Sequence, residues 1–255
     1  GINQHINQSP CSVCNMQNRG NLMKGINMEN YKNRELPVTE RVEDLLNRMT
    51  FEEKIEQITC LVTITDTIPD FAECIPNGIG NVGAFTVADS VEPIVEYAER
   101  LQDHLVNHTR LGIPALIHCE ASAGAQFTEA DVFPSAIAQA STFHVDLIED
   151  MADIIGKQMR DVGFCQALSP VVDITRDPRW GRMTETYGED AALTSAMASA
   201  FVRGIQGKDR KDGVLATAKH FAGHGITEGG LNMGRNLVSE RDMLEIHCKP
   251  FQCAI

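Results

Sequence analysis

Short apolar runs alternate with longer segments of helical periodicity along this 255-residue chain. The strand-like runs are residues 61–64, 78–85, 114–118, 165–168 and 214–218. The main helical segments are residues 37–49, 50–59, 91–109, 136–162, 191–206 and 239–255. The strand-like runs are short and apolar throughout, which predicts burial on both faces. Strands that alternate with helices in this way predict a parallel sheet with crossover helices.

Local signals mark the ends of several predicted helices. Thr50, with Glu53 three residues later, predicts a capping box at the start of the second helix. Gly207 ends the segment 191–206. Ser239 caps the last helical segment. Residues 1–30 are rich in Asn, Gln, Gly and Ser, and are predicted to be an irregular N-terminal extension to a barrel domain spanning residues 31–255.

Polar side chains gather where the strand-like runs end. Glu120, Arg179, Lys219 and His220 all follow such runs. Polar groups at the carboxyl ends of successive parallel strands are typical of the working face of a (β/α)8 barrel. No glycine-rich phosphate loop follows any run, so a nucleotide-binding fold has little support. The fold class predicted is α/β of the TIM-barrel type, incomplete, with about five strands present and the closing strands missing.

The loop at residues 175–182 concentrates charge and aromatic surface. It holds three arginines and the only tryptophan of the chain. A binding loop on a scaffold is one interpretation. The other is a surface loop whose arginines pair with Asp173, Asp177 and Glu185. Arg179 follows a proline that restricts the backbone, and its planar guanidinium suits diols or carboxylates.

Composition excludes some partners. The formal net charge of −13 argues against nucleic acid and anionic membranes as ligands. No run approaches 18 consecutive apolar residues, so no membrane span is predicted. Eight scattered cysteines are too few for a disulfide scaffold and favour a reducing, cytosolic setting. Cys11 and Cys14 form a lone C-x-x-C pair, a weak zinc signal.

The candidate residues favour sugar recognition over other chemistry. His220 and His224 have the i, i+4 spacing of a helical metal site, but Gly223 and Gly225 argue against a helix, and a metal hydrolase stays an alternative. No G-x-S-x-G elbow occurs. The sequence predicts neither a metal nor a cofactor. Donors and carboxylates together fit a polyhydroxylated ligand.

Several segments between Tyr31 and Ile255 resemble the N-terminal barrel of glycoside hydrolase family 3, the β-glucosidase and β-xylosidase group. They are LPV at 36–38, MTFEEKI at 49–55, VFP at 132–134, LSPVVD at 168–173, DPRWGR at 177–182, ETYGED at 185–190 and AKHFAGHG at 218–225. The resemblance implies retaining hydrolysis of β-glycosides, in which an Asp attacks and a second carboxyl acts as acid and then base. Terminal nonreducing β-D-glycosyl residues of oligosaccharides, or of aryl and alkyl glycosides, would be the substrates.

The resemblance also implies roles for individual residues. It places Glu120, Arg179, Lys219 and His220 in the subsite for the nonreducing sugar, with a cis peptide bond near Lys219 and His220. It gives supporting roles to Trp180, Arg182 and Tyr187. Many relatives have Asp where this chain has Glu120, and His where it has Ser122-Ala123.

The resemblance implies no catalytic residue within this chain. The family's nucleophilic Asp lies in a Ser-Asp-Trp or Ser-Asp-Tyr context, which does not occur before Ile255. Its acid/base carboxyl usually comes from a following domain. We therefore expect a part of a longer enzyme, or a chain completed by a second chain, that does not catalyse alone. β-Glucosidase is favoured; β-xylosidase and a non-catalytic sugar-binding or subunit-assembly module are the alternatives.

Overall fold

The computed structural model describes residues 29–64, 68–85, 89–208 and 212–255. The described residues form two compact units with the boundary between Lys54 and Ile55. All but the last two residues of the predicted N-terminal extension, together with the Cys11–Cys14 pair, lie outside the described residues.

Two helices begin the described chain. Helix α1 spans Val38–Arg48, and helix α2 spans Phe51–Gln57. The predicted capping box is confirmed: the Thr50 amide donates to Glu53 Oε2 at 2.9 Å, and the Glu53 amide donates to Thr50 Oγ1 at 3.2 Å. These reciprocal bonds satisfy amide groups that a helix start leaves unpaired.

Five parallel strands form one sheet among the described residues. They are β1 Cys60–Ile64, β2 Asn81–Phe85, β3 Leu116–Cys119, β4 Gln166–Ala167 and β5 Leu215–Ala216. The strands lie in sequential order, each paired with the next along the chain. Doubly wound sheets reverse their strand order at a switch point, whereas barrels add strands in sequence. The order therefore confirms the predicted incomplete barrel-type α/β fold.

Helices follow most strands. They are α3 Phe71–Cys74, α4 Glu92–His108, α5 Ala136–Ala140, α6 Val145–Asp161, α7 Ala191–Gln206, α8 Glu240–Asp242 and α9 Lys249–Ala254. A π-helical turn, Met243–His247, joins the last two, so the predicted final helix is not uniform. The sequence analysis predicts no helix at α3, because one turn is too short to show helical periodicity.

One face of the sheet is buried, and the other is partly exposed. In β3, Ile117 and Cys119 are buried, whereas Leu116 is exposed. Val62 in β1 and Leu215 in β5 are exposed too, so the prediction of burial on both faces is wrong for these positions. In a closed barrel the inward side chains are covered by those of the other strands. The five described strands leave that inner face open.

Helices α6 and α7 pack closely against each other, and a glycine permits the contact. A side-chain carbon built on Gly156 would lie 2.6 Å from the carbonyl oxygen of Ile205. Met151, Ile155 and Phe201 are buried in the surrounding core. The absence of a side chain at Gly156 therefore sets the distance between the two helices.

We expect Gly156→Ala to lower the free energy of unfolding by about 1–3 kcal/mol, because the added methyl group forces the helices apart. Gly181→Ala is the matched control, since no atom lies within 4 Å of a side-chain carbon built there. Urea unfolding of both variants measures the difference. A Gly156→Ala protein as stable as the control would contradict this account of the packing.

Candidate functional site

The carboxyl ends of β3, β4 and β5 bring three chain segments to one edge of the sheet. Beyond the short β4 and β5, backbone hydrogen bonds continue: the Lys219 amide donates to the Pro170 carbonyl at 3.1 Å, and the Val172 amide donates to the Lys219 carbonyl at 2.8 Å. This pairing fixes Lys219 beside the start of the arginine-rich loop. Glu120 follows β3, the neighbour of β4 in the sheet. The topology therefore brings these side chains together.

Lys219 and Glu120 form an ion pair at this edge. Lys219 Nζ donates to Glu120 Oε1 at 2.6 Å. The Lys219 side chain is only 13% exposed, whereas Glu120 is about one-third exposed. An ammonium group this buried needs a partner, and Glu120 supplies it. Glu120 keeps its second oxygen for another donor.

His220 is held in place by the buried carboxylate of Asp173. Asp173 Oδ2 accepts the His220 backbone amide at 3.1 Å and lies 2.7 Å from His220 Nδ1. An ionised carboxylate can only accept, so Nδ1 carries the proton and Nε2 is the open nitrogen of the ring. The peptide bond between Lys219 and His220 is cis, which confirms the expectation from the resemblance.

Trp180 is buried next to His224, whose ring in turn contacts that of His220. Its Nε1 donates to Asn232 Oδ1 at 3.2 Å, and its ring meets the edge of His224 with centroids 5.4 Å apart. The His224 ring lies 4.7 Å from that of His220. Burial, and then the neighbouring His220, lower the pKa of His224. Trp180 therefore packs against His224.

Arg182 forms an ion pair with Glu185, three residues after it in the chain. Its Nε and Nη2 donate to the two carboxylate oxygens of Glu185, each at 2.8 Å. This pair raises the pKa of Arg182, and the charge of Glu120 raises it further. The hydrogen bond from Arg182 lowers the pKa of Glu185, with Lys219 contributing more weakly. Arg182 and Glu185 thus interact electrostatically with the Lys219–Glu120 pair.

Arg179 lies apart from this cluster. Its side chain is 71% exposed and forms a fork with Asp177, with Nε to Oδ1 at 2.9 Å and Nη2 to Oδ2 at 2.6 Å. The fork lowers the pKa of Asp177 to about 2. The structure therefore brings together Glu120, Lys219 and His220, but it does not bring Arg179 to them.

The site shows no metal-binding arrangement. His220 Nδ1 is engaged by Asp173, and no group of three or more potential metal ligands occurs in the described part of the chain. Tyr187, predicted to have a supporting role, is fully buried, and burial raises its pKa. Among the described helices, none has the length and apolar character needed to cross a membrane.

Comparison with known proteins decides the family. The family model described as "Glycosyl hydrolase family 3 N terminal domain" matches residues 50–255, most of the chain. The chain belongs to glycosyl hydrolase family 3. The match begins at the capping box and covers the whole five-stranded sheet. Family membership therefore rests on the segment that forms the site.

Individual relatives agree with this assignment. A putative β-xylosidase of Formosa agariphila is 30% identical over 89% of the chain, which spans 32% of that protein. A solved β-glucosidase from Erythrobacter marinus is 31% identical in sequence. The match covers 89% of this chain and 31% of the Erythrobacter chain, with a TM-score of 0.81. A mutant Listeria innocua β-glucosidase solved with laminaribiose is 28% identical in sequence. The match covers 84% of this chain and 31% of the Listeria chain, with a TM-score of 0.69. The family 3 chain thus spans about a third of the length of these relatives.

One residue that positions a member of this family 3 site was not among the predicted site residues. Asp173 orients His220, although the sequence had suggested only a pairing with an arginine. His118 lies in β3, two residues before Glu120, and its Nε2 lies 3.5 Å from Cys60 Sγ in β1.

Replacing Arg182 by Met is expected to raise the pKa of Glu185, because the guanidinium stabilises its carboxylate. In the parent chain the folded-state pKa of Glu185 lies below the unfolded value. The pair therefore stabilises the fold above the unfolded pKa, and this contribution is lost as pH falls through the folded pKa. A carboxyl ¹³C NMR titration measures the change.

Arg179→Met is the control for this titration. It should raise the pKa of Asp177 from about 2 and leave that of Glu185 where it was. If both variants shifted the pKa of Glu185 by the same amount, the two arginine–carboxylate pairs would not be electrostatically independent.

Proposed function

We propose that this chain supplies the sugar-binding part of a retaining β-glycosidase of the β-glucosidase type. Its substrates are terminal nonreducing β-D-glycosyl residues of oligosaccharides or of aryl and alkyl glycosides. The observation that carries the proposal is the pair of Lys219 and Glu120, 2.6 Å apart, beside the open Nε2 of His220. These groups lie at the carboxyl ends of parallel strands, where barrel enzymes bind their substrates.

The chemistry of the cluster suits hydroxyl groups. A sugar hydroxyl both donates and accepts, so it can bridge an ammonium group and a carboxylate without bringing a net charge. Lys219 and Glu120 offer such a combination at one point of the cluster, and Arg182 and Glu185 offer another. Two donor–acceptor combinations in fixed positions would orient a sugar ring for reaction.

We assign the guanidinium of the sugar subsite to Arg182 and retain Glu120, Lys219 and His220 from the expected set. Arg182 acts electrostatically on Glu120, whereas Arg179 is committed to Asp177 at an exposed position. The assignment of Arg179 to the subsite therefore lacks geometric support. Arg179 borders a different cavity.

We further propose that the nucleophile and the acid/base carboxyl come from the remainder of the same enzyme or from a second chain. Each carboxylate of the cluster is already bonded to a basic side chain. Asp173 is buried against His220, Glu120 is paired with Lys219, and Glu185 is paired with Arg182. A nucleophile needs an open path to the anomeric carbon.

A β-xylosidase is the second candidate, favoured by the name of the Formosa relative. Glucose and xylose units differ by one hydroxymethyl group, and an apolar pocket distinguishes a difference of one methylene by about 1–3 kcal/mol. Competition between methyl β-D-glucoside and methyl β-D-xyloside for the chain separates the two candidates. Tighter binding of the xyloside would favour the second.

Lys219→Met should weaken binding of methyl β-D-glucoside by about tenfold or more, because hydrogen bonds to charged groups are worth about 1.5–3 kcal/mol. Isothermal titration or ligand-detected NMR measures this. Lys157→Met is the matched control, since Lys157 pairs with Asp153 at the same distance of 2.6 Å but on helix α6, outside the cluster. Equal affinities in the two variants would contradict the proposed subsite.

The isolated 255-residue chain should not hydrolyse an aryl β-glucoside, because the proposal puts both catalytic carboxyls elsewhere. Release of the aryl group, followed spectrophotometrically, is the assay. Robust turnover by the chain that disappears on Lys219→Met would show that the chain contains its own nucleophile and would overturn this part of the proposal.

A further inference from the structure

A thiol and an imidazole meet on the open inner face of the sheet. Cys60 begins β1 and His118 lies in β3, so strand β2 separates them in the order of the sheet. Cys60 Sγ nevertheless lies 3.5 Å from His118 Nε2, a hydrogen-bonded contact. We call these two residues the Cys60–His118 pair. Neither residue belongs to the proposed sugar subsite.

A glycine in the intervening strand permits this contact. Gly83 in β2 is buried and lies opposite His118 in the register of the sheet. A side-chain carbon built on Gly83 would lie 3.1 Å from His118 Cε1 and 3.8 Å from Cys60 Sγ. A larger side chain at this position would therefore displace one or both groups. The absence of a side chain at Gly83 lets two residues of nonadjacent strands meet.

The imidazole of the pair can take the proton of the thiol. Burial lowers the pKa of His118, and the weaker effects of Glu120 and Lys219 oppose each other. The ring is therefore neutral at neutral pH, and a neutral imidazole accepts a hydrogen bond through one nitrogen. His118 Nδ1 has no partner within the described residues, so no second bond prevents Nε2 from being that nitrogen. A base that accepts the proton of a thiol makes the sulfur nucleophilic.

Solvent reaches the cysteine of the pair. Cys60 is exposed, as are Val62 and Leu116 on the same inner face. Cys74 and Cys253 are exposed too, but neither of their thiols has an imidazole partner in the described part of the chain. Reactive cysteines are accessible and lie beside a basic group, whereas buried cysteines are inert. Among the exposed cysteines of the described residues, Cys60 therefore combines both properties.

We propose that Cys60 is a thiol-modification site, at which His118 activates the sulfur for attack on the disulfide bond of a small thiol compound. The thiol proton passes to His118 Nε2, and the thiolate attacks one sulfur of the disulfide. A new sulfur–sulfur bond joins Cys60 to one half of the compound as the old bond breaks. The other half leaves as a thiolate and takes the proton from the imidazolium. The disulfide is the oxidant, a free thiol reverses the exchange, and the site goes beyond the proposed glycosidase function.

The test treats the folded 255-residue chain with excess dipyridyl disulfide, a small neutral disulfide. Samples are quenched with acid at intervals, and peptide mass mapping gives the rate at which each cysteine forms the mixed disulfide. Cys74 and Cys253 serve as exposed internal references in the same molecule. Cys60 should react about tenfold faster than either, a modest gain for a positioned general base.

Two variants separate the role of the imidazole from that of exposure. His118→Phe keeps a planar ring but removes the basic nitrogen, and it should slow Cys60 about tenfold without affecting the two reference cysteines. Gly83→Val keeps both members of the pair but separates them, and it should slow Cys60 as well. His108→Phe is the matched control, because His108 lies in α4 and pairs with Asp103 instead of a cysteine. Thermal unfolding shows that each variant is folded.

Three outcomes would overturn the modification site. The first is a Cys60 that reacts no faster than Cys74 and Cys253. The second is a folded His118→Phe chain whose Cys60 reacts as fast as in the His108→Phe control, because the thiol would then need no imidazole. The third is a folded Gly83→Val chain with an unchanged rate at Cys60. None of these measurements involves sugar binding, so the modification site and the sugar subsite can fail independently.

Discussion

The geometry of the site depends on the buried carboxylate of Asp173. It holds both the backbone amide and the ring of His220, and it lies on the chain segment that pairs with Lys219. Both bonds are to Oδ2, whereas Oδ1 is buried without a hydrogen-bond partner among the described residues. The two bonds fix His220 in one orientation and connect the end of β4 to the end of β5. The Lys219–Glu120 pair extends that connection to β3.

The arginine-rich loop is divided by its own ion pairs. Arg179 is held by Asp177, two residues before it, and Arg182 by Glu185, three residues after it. Because the two partners lie in opposite directions along the chain, the two guanidinium groups lie in different surroundings. The Arg182 side chain is 29% exposed beside Glu185, whereas the Arg179 side chain is 71% exposed beside Asp177. The two arginines of one motif therefore differ in burial.

Much of the fold could be predicted because its signals are local. The capping box at Thr50 and Glu53 and the cap at Ser239 depend on residues three apart, and both form as predicted. The exposed face at Leu116 was not predictable, since an apolar run looks the same whether one face or both are covered. Whether a sheet face is covered depends on segments that are distant in the sequence.

The sequence by itself determined the alternation of strands and helices, the family and three of the residues at the sheet edge. Periodicity, capping residues and motif spacing are properties of neighbouring residues, and these carried that information. Only the tertiary structure decided that Lys219 pairs with Glu120 and that Asp173 holds His220. Those choices depend on which loop side chains find buried partners from other strands, a matter of long-range packing and electrostatics that spacing alone does not encode.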